Sequence, residues 1–262
     1  MRKLNPIAIL GFLSLNCVFL NVTYGEALLP TLKVESRVPL SLSVFDQGPS
    51  YDLSLPGVFI REVEDLYDEV HIEDLTGDGV GEVIFHLEGG GVNSCSRVLH
   101  YSSGDRSLSE LVFGGGGLCN FKIWNGSVVS SYKDGAAWVD DVYIVKSGRA
   151  DLKISDRCVG CGEISRKEYR PDGTFIRSLV SDDINFDQRS VLTAKVASLK
   201  AWIFPSSGAT QSTKKYLIRG DEITLLGVDK TREEGWVEFR FSGKTITEGW
   251  LICSDIGGCK EF

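Results

Sequence analysis

Apolar and polar residues alternate along most of the chain beyond residue 30, and helical periodicity is almost absent there. A period of two is typical of strands that bury one face. Glycine-containing turns such as Asn-Gly, Lys-Asp-Gly and Pro-Asp-Gly separate the alternating runs and favour hairpins. The clearest predicted strands and hairpins are LSLSVFD, VFIREVEDLY, EVHIEDL, EVIFHL, RVLHYSS, SVVSSYKDG, DVYIVKSG and EISRKEYRPDGTFIRSLV. The pattern predicts an all-β protein whose first domain, residues 26–188, is an antiparallel meander or sandwich.

The rhythm changes after the polar stretch SDDINFDQRSVLTAK, which predicts a second domain at residues 189–262. In this part YLIRGDEITLL is followed by GWVEFRFSGK and TEGWLICSDI. The order of these three features resembles the bacterial Src-homology-3-like domain, and the resemblance implies a small barrel. We expect Gly235 and Gly249 to permit close approaches, and Trp236 and Trp250 to fill a small core.

The first residues have the pattern of a secretory signal peptide. A basic start with Arg2 and Lys3 precedes an apolar run at residues 7–22, and small residues follow where a signal peptidase could cut. An uncleaved membrane anchor and lipoprotein processing at Cys17 are the alternatives. Cleavage after Gly25 takes the formal charge from −8 to −10, and cleavage after Ala27, the alternative site, takes it to −9 because Glu26 is also removed. We therefore expect a periplasmic or secreted protein that does not span a membrane once the signal is removed.

Six cysteines remain after that cleavage, and an even number in an exported chain favours disulfides. Pairing of sequence neighbours is the simplest arrangement. A redox or zinc site is the alternative for the Cys-x-x-Cys pair, although neither a following helix nor a second ligand pair accompanies it. The predicted pairs are Cys95 with Cys119, Cys158 with Cys161, and Cys253 with Cys259.

The stretch DLTGDGVGE, residues 74–82, suggests a calcium site. Calcium takes six to eight oxygen ligands, and a tight loop with glycine supplies them at alternate positions. The flanking runs are strands, and the whole resembles the calcium loop of FG-GAP or integrin-α-like repeats. An acidic, solvent-exposed hairpin without metal is the alternative. The predicted calcium ligands are Asp74, Thr76, Asp78, the backbone carbonyl of Val80, and Glu82.

Charge and motifs narrow the function further. An acidic chain without clustered lysines and arginines disfavours nucleic-acid binding and suits a cationic partner. His71, His86 and His100 lie too far apart in sequence for a close-spaced metal motif. No nucleophile elbow, zinc-protease motif or phosphate loop is present, so we predict that the protein is not an enzyme. A hydrolase whose carboxylates converge only in the fold is the alternative.

The stretch SSYKDGAAWVDDVY places Ser131, Tyr132 and Lys133 before a turn at Gly135. Together with the single DLTGDG loop it resembles periplasmic immunity proteins of the lysozyme-inhibitor type. The resemblance implies calcium binding and a loop that enters the active site of a lysozyme-like peptidoglycan hydrolase, with Ser131, Tyr132 and Lys133 as the partner-binding residues. An ordinary hairpin with core aromatics is one alternative. Another is a peptidoglycan-binding protein that acts through its C-terminal domain.

Overall fold

The structure, a computed structural model, describes residues 29–35, 40–87, 89 and 91–259. Strands make up 53% of it, which confirms the all-β prediction. The strand pairs are antiparallel throughout the described part. The predicted signal peptide, residues 1–25, lies outside the described residues. Among the described residues, no helix has both the length and the apolar character needed to span a bilayer.

Three sheets and one helix form the first part of the chain. A three-stranded sheet contains β1 (Thr31–Glu35), β2 (Ser41–Phe45) and β3 (Tyr51–Asp52), and α1 (Gly57–Val63) follows it. A five-stranded sheet has the order β4 (Tyr67–Glu73), β5 (Glu82–Leu87), β6 (Cys95–Ser102) and β7 (Ser107–Leu111), with β8 (Leu118–Cys119) also paired to β6. A six-stranded meander contains β9 (Lys122–Trp124), β10 (Ser127–Asp134), β11 (Ala137–Lys146), β12 (Arg149–Arg157), β13 (Glu163–Tyr169) and β14 (Phe175–Ser181).

Two further sheets form the C-terminal part. The four-stranded sheet has the order β15, β18, β19 and β20, and the two-stranded sheet pairs β16 with β17. Within the described residues the hydrogen-bonded order of these sheets does not close into the barrel that the sequence suggested; single bridges join them instead. The elements are β15 (Thr193–Lys195), β16 (Lys200–Trp202), β17 (Tyr216–Ile218), β18 (Glu222–Asp229), β19 (Trp236–Ser242), β20 (Ile246–Ile252) and a 3₁₀ turn at Cys253–Asp255.

The five-stranded sheet is buried on both faces. Val83 and Phe85 of β5 join a core with α1 and the three-stranded sheet. Ile84, between them, joins a second core with the six-stranded sheet. Alternate residues of a strand point to opposite faces, so this continuous apolar run lies between two layers. A third core fills the C-terminal part and includes Leu179 of β14.

One predicted strand is wrong. Helix α1 is formed by Gly57 and the first six residues of VFIREVEDLY. Phe59 and Val63 are its buried residues, and a spacing of four places them on one helical face. Pro56 precedes the helix and its fixed φ suits a helix start. The segment is too short for its period to be distinguished from strand alternation.

The glycines of the two Gly-Trp pairs have the expected steric role. Gly235 has a φ of 62°, a conformation that favours glycine. A Cβ on Gly249 would lie 2.5 Å from the side chain of Ile203 and 3.0 Å from the carbonyl oxygen of Phe204. Trp236 is buried, whereas Trp250 is half-buried.

The three disulfides join sequence neighbours, as predicted. They link Cys95 to Cys119, Cys158 to Cys161, and Cys253 to Cys259. The first pair lies directly opposite in the register of β6 and β8, so it fixes the connection between the five-stranded sheet and the six-stranded sheet.

Buried charges attach the segment after β14 to the six-stranded sheet. Asp140 of β11 and Asp156 of β12 lie opposite each other and are both buried. Arg189, also buried, donates to Asp140 Oδ2 and to Asp156 Oδ2 at 2.7 Å each. Arg166 donates to both oxygens of Asp156 and to the carbonyl of Phe186. We call these four charged residues the Asp140–Arg189 network.

Replacing Arg189 with methionine is expected to destabilise the protein by about 3–5 kcal/mol, because it leaves buried Asp140 without a cation and Asp156 with Arg166 alone. Urea unfolding of the variant and the parent measures this difference. Arg177→Met is the control, since Arg177 pairs with Glu238 at 2.8 Å at a partly exposed position and such pairs contribute about 1 kcal/mol or less. Equal losses in the two variants would contradict the structural role assigned to Arg189.

Candidate functional site

The predicted calcium loop is the connection between β4 and β5. Glu73 and Glu82 pair at the ends of the two strands, so the loop closes a hairpin. Gly77 and Gly79 have φ values of 73° and 85°, a region that favours glycine. The chain reverses at Gly79 as the sequence indicated.

Asp74 organises this loop. Its carboxylate accepts hydrogen bonds from the backbone N–H of Gly77 at 2.7 Å and of Gly79 at 2.8 Å, and from the Thr76 hydroxyl at 3.1 Å. Partial burial alone would raise the pKa of Asp74, but these hydrogen bonds outweigh it and lower that pKa. Asp78 accepts the backbone N–H of Val80 at 2.8 Å. The first three predicted ligands therefore lie in one compact turn.

Glu82 occupies a different environment from the other predicted ligands. Its side chain is only 1% exposed, Oε2 accepts the backbone N–H of Leu75 at 2.8 Å, and Oε1 lies 3.0 Å from His100 Nδ1. The hydrogen bond with Glu82 is the main cause that raises the pKa of His100, against the effect of burial; the charge of Asp78 adds to it. A protonated His100 thus supplies positive charge at the base of the acidic loop.

The donor set agrees in part with a hard cation. Asp74, Thr76 and Asp78 offer side-chain oxygens from one turn, which is the ligand type calcium requires. Glu82 is already engaged by two protein donors, so it serves first as the partner of His100. Among the described residues, no group of three or more histidines, cysteines and carboxylates is gathered closely enough to hold a metal. Calcium binding therefore remains a prediction.

The predicted partner-binding residues belong to β10. The β10–β11 turn is at residues 135–136, so Ser131, Tyr132 and Lys133 are in the strand that leads into it. Ser131 donates to Asp140 Oδ1 at 2.7 Å, which connects it to the Asp140–Arg189 network. Lys133 has an exposed side chain and lies opposite Trp138, which is 37% exposed. Ser131 is therefore part of the hairpin stem, and Lys133 is near its tip.

The outer edge of β10 is fixed by asparagine side chains. Asn93 accepts the backbone N–H of Lys133 at 2.7 Å and donates to the Lys133 carbonyl at 3.0 Å. Asn120 donates to the Ser131 carbonyl at 2.9 Å. These bonds replace strand pairing where β9 has ended, so the backbone of the stem is held on both edges.

Tyr132 is held on the opposite sheet face from Ser131. Its hydroxyl donates to Asp141 Oδ2 at 3.0 Å, and a Cβ on Gly116 would lie only 2.4 Å from its ring. Burial, followed by the charge of Asp141, raises the pKa of Tyr132 to about 12. Tyr143 also donates to this carboxylate, at 3.4 Å. The second oxygen of Asp141 is buried without a hydrogen-bond partner among the described residues.

Sequence reasoning missed the importance of His100. The spacing of the three histidines argued only against a close-spaced metal motif; in the structure the ring of His86 lies 2.7 Å from Ser94 and 3.3 Å from Ser96. His100 instead contacts Glu82 from a strand 18 residues further along the chain. The one signal in the sequence was strand alternation. His100 is two residues from Val98, so it shares the face of β6 that meets the second core.

Comparisons with known proteins give little further information. No family model matches the chain, and no curated protein matches it significantly. One solved structure with some likeness is described as a Xanthomonas type IV secretion system related protein. The match covers 61% of this chain and 80% of that one at 13% identity, with a TM-score of 0.31. A score this low does not establish a shared fold.

The His100–Glu82 pair predicts a pH-dependent stability. Because the pKa of His100 is raised on folding, the pair stabilises fully below the unfolded value of about 6.5, and this stabilisation is lost as pH rises through the folded pKa. The free energy of unfolding should fall over that window by at most about 1.4 kcal/mol per pH unit. Urea unfolding at several pH values should show a smaller slope for His100→Gln. His71→Gln is the control and should keep the parental slope, since the distance from His71 to Glu73 is as long as 3.7 Å and both side chains are partly exposed. Identical slopes in all three proteins would refute the prediction.

Proposed function

We propose that this protein is an exported, non-catalytic inhibitor of a lysozyme-like peptidoglycan hydrolase, of the kind that serves as an immunity protein. Its β10–β11 hairpin is the inserting element. The observation that carries the proposal is the fixed stem of that hairpin, held by Asp140, Asp141, Asn93 and Asn120. A segment that is already ordered loses less conformational entropy on binding, which favours tight inhibition.

Charge supports the same partner class. After removal of the signal peptide the chain carries a formal charge of about −10. The resemblance to lysozyme inhibitors implies a lysozyme-like partner, and such enzymes are commonly cationic. Attraction of this kind speeds encounter with such an enzyme most at low ionic strength, where screening is weak. Glycoside hydrolases use a pair of carboxylates beside the scissile bond. The exposed ammonium of Lys133 is complementary to that pair, and Trp138 beside it supplies apolar contact area.

The contacts of the three predicted residues support different roles for them in the proposed complex. Ser131 and Tyr132 use their hydroxyl groups inside the protein, so we infer that they hold the hairpin in shape. Lys133, with its exposed side chain, is the residue inferred to contact the enzyme, and Trp138 joins it. Tyr132→Phe is therefore expected to affect inhibition only through the loss of one internal hydrogen bond, of about 1 kcal/mol.

Replacing Lys133 and Trp138 together by alanine is expected to weaken inhibition by about thirtyfold, as for a central binding residue worth about 2 kcal/mol. The measurement is the inhibition constant against a panel of lysozyme-type enzymes on purified cell walls. Lys167→Ala with Phe175→Ala is the matched control, because it removes an exposed lysine and aromatic pair from the β13–β14 hairpin of the same sheet.

Loss of inhibition in the control but not in the hairpin variant would move the binding surface elsewhere on the sheet. Failure of the parent to slow any enzyme of the panel would count against the function itself. Hydrolysis of cell walls by the protein alone would favour the alternative of an enzyme.

Calcium in the acidic loop is the second part of the proposal. Asp74, Thr76 and Asp78 would hold the ion, and the gain would be a more rigid connection between β4 and β5. Asp78→Asn keeps an oxygen for the Val80 N–H but removes one charge. It should reduce or abolish a calcium-dependent rise in melting temperature, which for the parent corresponds to about 2.7 kcal/mol at calcium one hundred times the dissociation constant.

Asp172→Asn is the control for that experiment. Asp172 accepts hydrogen bonds from the backbone and hydroxyl of Thr174 in another turn, without a second carboxylate in the same motif. It should leave the response to calcium unchanged. A parent protein whose melting temperature and calorimetric signal do not respond to calcium would remove the metal from the proposal and leave the inhibitor function untouched.

A further inference from the structure

The β16–β17 hairpin presents an exposed apolar face that is unusual for its size. Ala201 and Leu217 point inward and are buried. The outward residues of the two strands are exposed: Ile218 is 53%, Tyr216 48% and Trp202 40% exposed, and Lys200 is also exposed. Leu199, which directly precedes β16, is 75% exposed. These five exposed residues are called the hairpin face below.

Positive charge surrounds the apolar groups of the hairpin face. Lys200 Nζ lies 4.0 Å from the ring centre of Trp202 and 4.1 Å from that of Tyr216, and the two rings are in edge contact at 5.6 Å. Lys214 and Lys215 precede β17, Arg219 follows it, and all three are exposed.

The charged side chains within the hairpin are all cationic, and the nearest acid along the chain is Asp221, which accepts the backbone N–H of Ile218 at 2.9 Å. Residues 199–202 and 213–219 contain four cationic side chains and no acidic one, in a chain of formal charge −8. Within the described part of the chain, no carboxylate forms an ion pair with Lys200, Lys214 or Lys215. The surface is therefore complementary to an anionic one.

We propose that the hairpin face docks on an anionic phospholipid membrane surface. Exposed aliphatic groups can enter the boundary of the acyl region, while tryptophan and tyrosine rings prefer the headgroup level. Lysine and arginine side chains reach the phosphates with their charged ends while their stems stay on apolar groups. Each such cation near an anionic leaflet strengthens binding.

Two observations favour a membrane over a sugar polymer. The Lys200 ammonium already lies over both aromatic rings, so it competes with a sugar ring that would stack there. Leu199 and Ile218, the most exposed residues of the face, are aliphatic and match an acyl environment. The overall negative charge does not prevent contact, because charges farther away than about 8 Å are largely screened at physiological ionic strength.

The test measures binding of the chain without residues 1–25 to lipid vesicles, because the apolar signal segment would itself bind lipid. Vesicles of phosphatidylcholine with phosphatidylglycerol are compared with vesicles of phosphatidylcholine alone, by flotation at physiological salt. The parent should bind the anionic vesicles preferentially. Leu199→Ser with Ile218→Ser should reduce binding about tenfold, and Lys214→Gln with Lys215→Gln should do the same and lower the salt dependence.

Matched variants use exposed residues elsewhere on the molecule. Ile184→Ser removes an aliphatic side chain that is 81% exposed, and Lys122→Gln with Lys146→Gln removes two exposed lysines of the six-stranded sheet. Both should bind vesicles like the parent, and all variants should keep the parental melting temperature.

Three results would overturn the proposal. They are vesicle binding that the hairpin variants leave unchanged, binding that does not depend on phosphatidylglycerol, and absence of vesicle binding. In the last case, binding to polyglutamate or to purified peptidoglycan that the parent shows and the hairpin variants lose would assign the hairpin face to an acidic polymer. Enzyme inhibition by the β10–β11 hairpin is measured without lipid, so the two proposals fail independently.

Discussion

The neutralisation of Asp140 and Asp156 is the constraint on which the arrangement of the sheets depends. These carboxylates lie opposite each other on neighbouring strands and are buried, so their repulsion would separate β11 from β12 without cations. Arg166 comes from the next strand, but Arg189 comes from the connection that follows the sheet. Completion of the six-stranded sheet therefore requires the chain to fold back on it. Trp124 and Asn125 add a second attachment by donating to Asp187 in the same connection.

The adjacent acids Asp140 and Asp141 show how a strand distributes polar groups. Because successive side chains point to opposite faces, Asp140 meets Arg189 and Ser131, whereas Asp141 meets Tyr132 and Tyr143. One hairpin is thereby fixed from two directions. The acidic loop is connected to the same sheet more loosely: His100, the partner of Glu82, lies against Gly148 in the β11–β12 turn, where an added Cβ would be 3.2 Å from its ring. The loop and the hairpin thus share a common support.

Local patterns were predictable, and distant pairings were not. Alternation located most strands, the turn residues located the hairpins, and the nearest-neighbour rule gave all three disulfides. Helix α1 was misjudged because seven residues carry too few repeats to separate a period of 3.6 from a period of two. The contacts of His100 with Glu82 and of Arg189 with Asp140 join residues 18 and 49 positions apart, and no spacing rule covers such pairs. Ser131 was predicted to contact a partner because it lies near a turn. Nothing in the sequence shows that its hydroxyl donates to the buried Asp140.

The position of Arg189 restricts where recombination could divide this chain into two exchangeable segments. The sequence suggests a division at residue 188, where the composition changes, yet the guanidinium that neutralises the first part lies one residue beyond it. A recombination event at that point would give the first part a foreign residue opposite two buried acids. The next residues are also bound to the first part. The backbone N–H of Leu192 donates to the carbonyl of Leu179 in β14, and Val191 forms a β-bridge with Val180. A junction that falls after these bonds would keep both buried acids neutralised and β14 fully bonded.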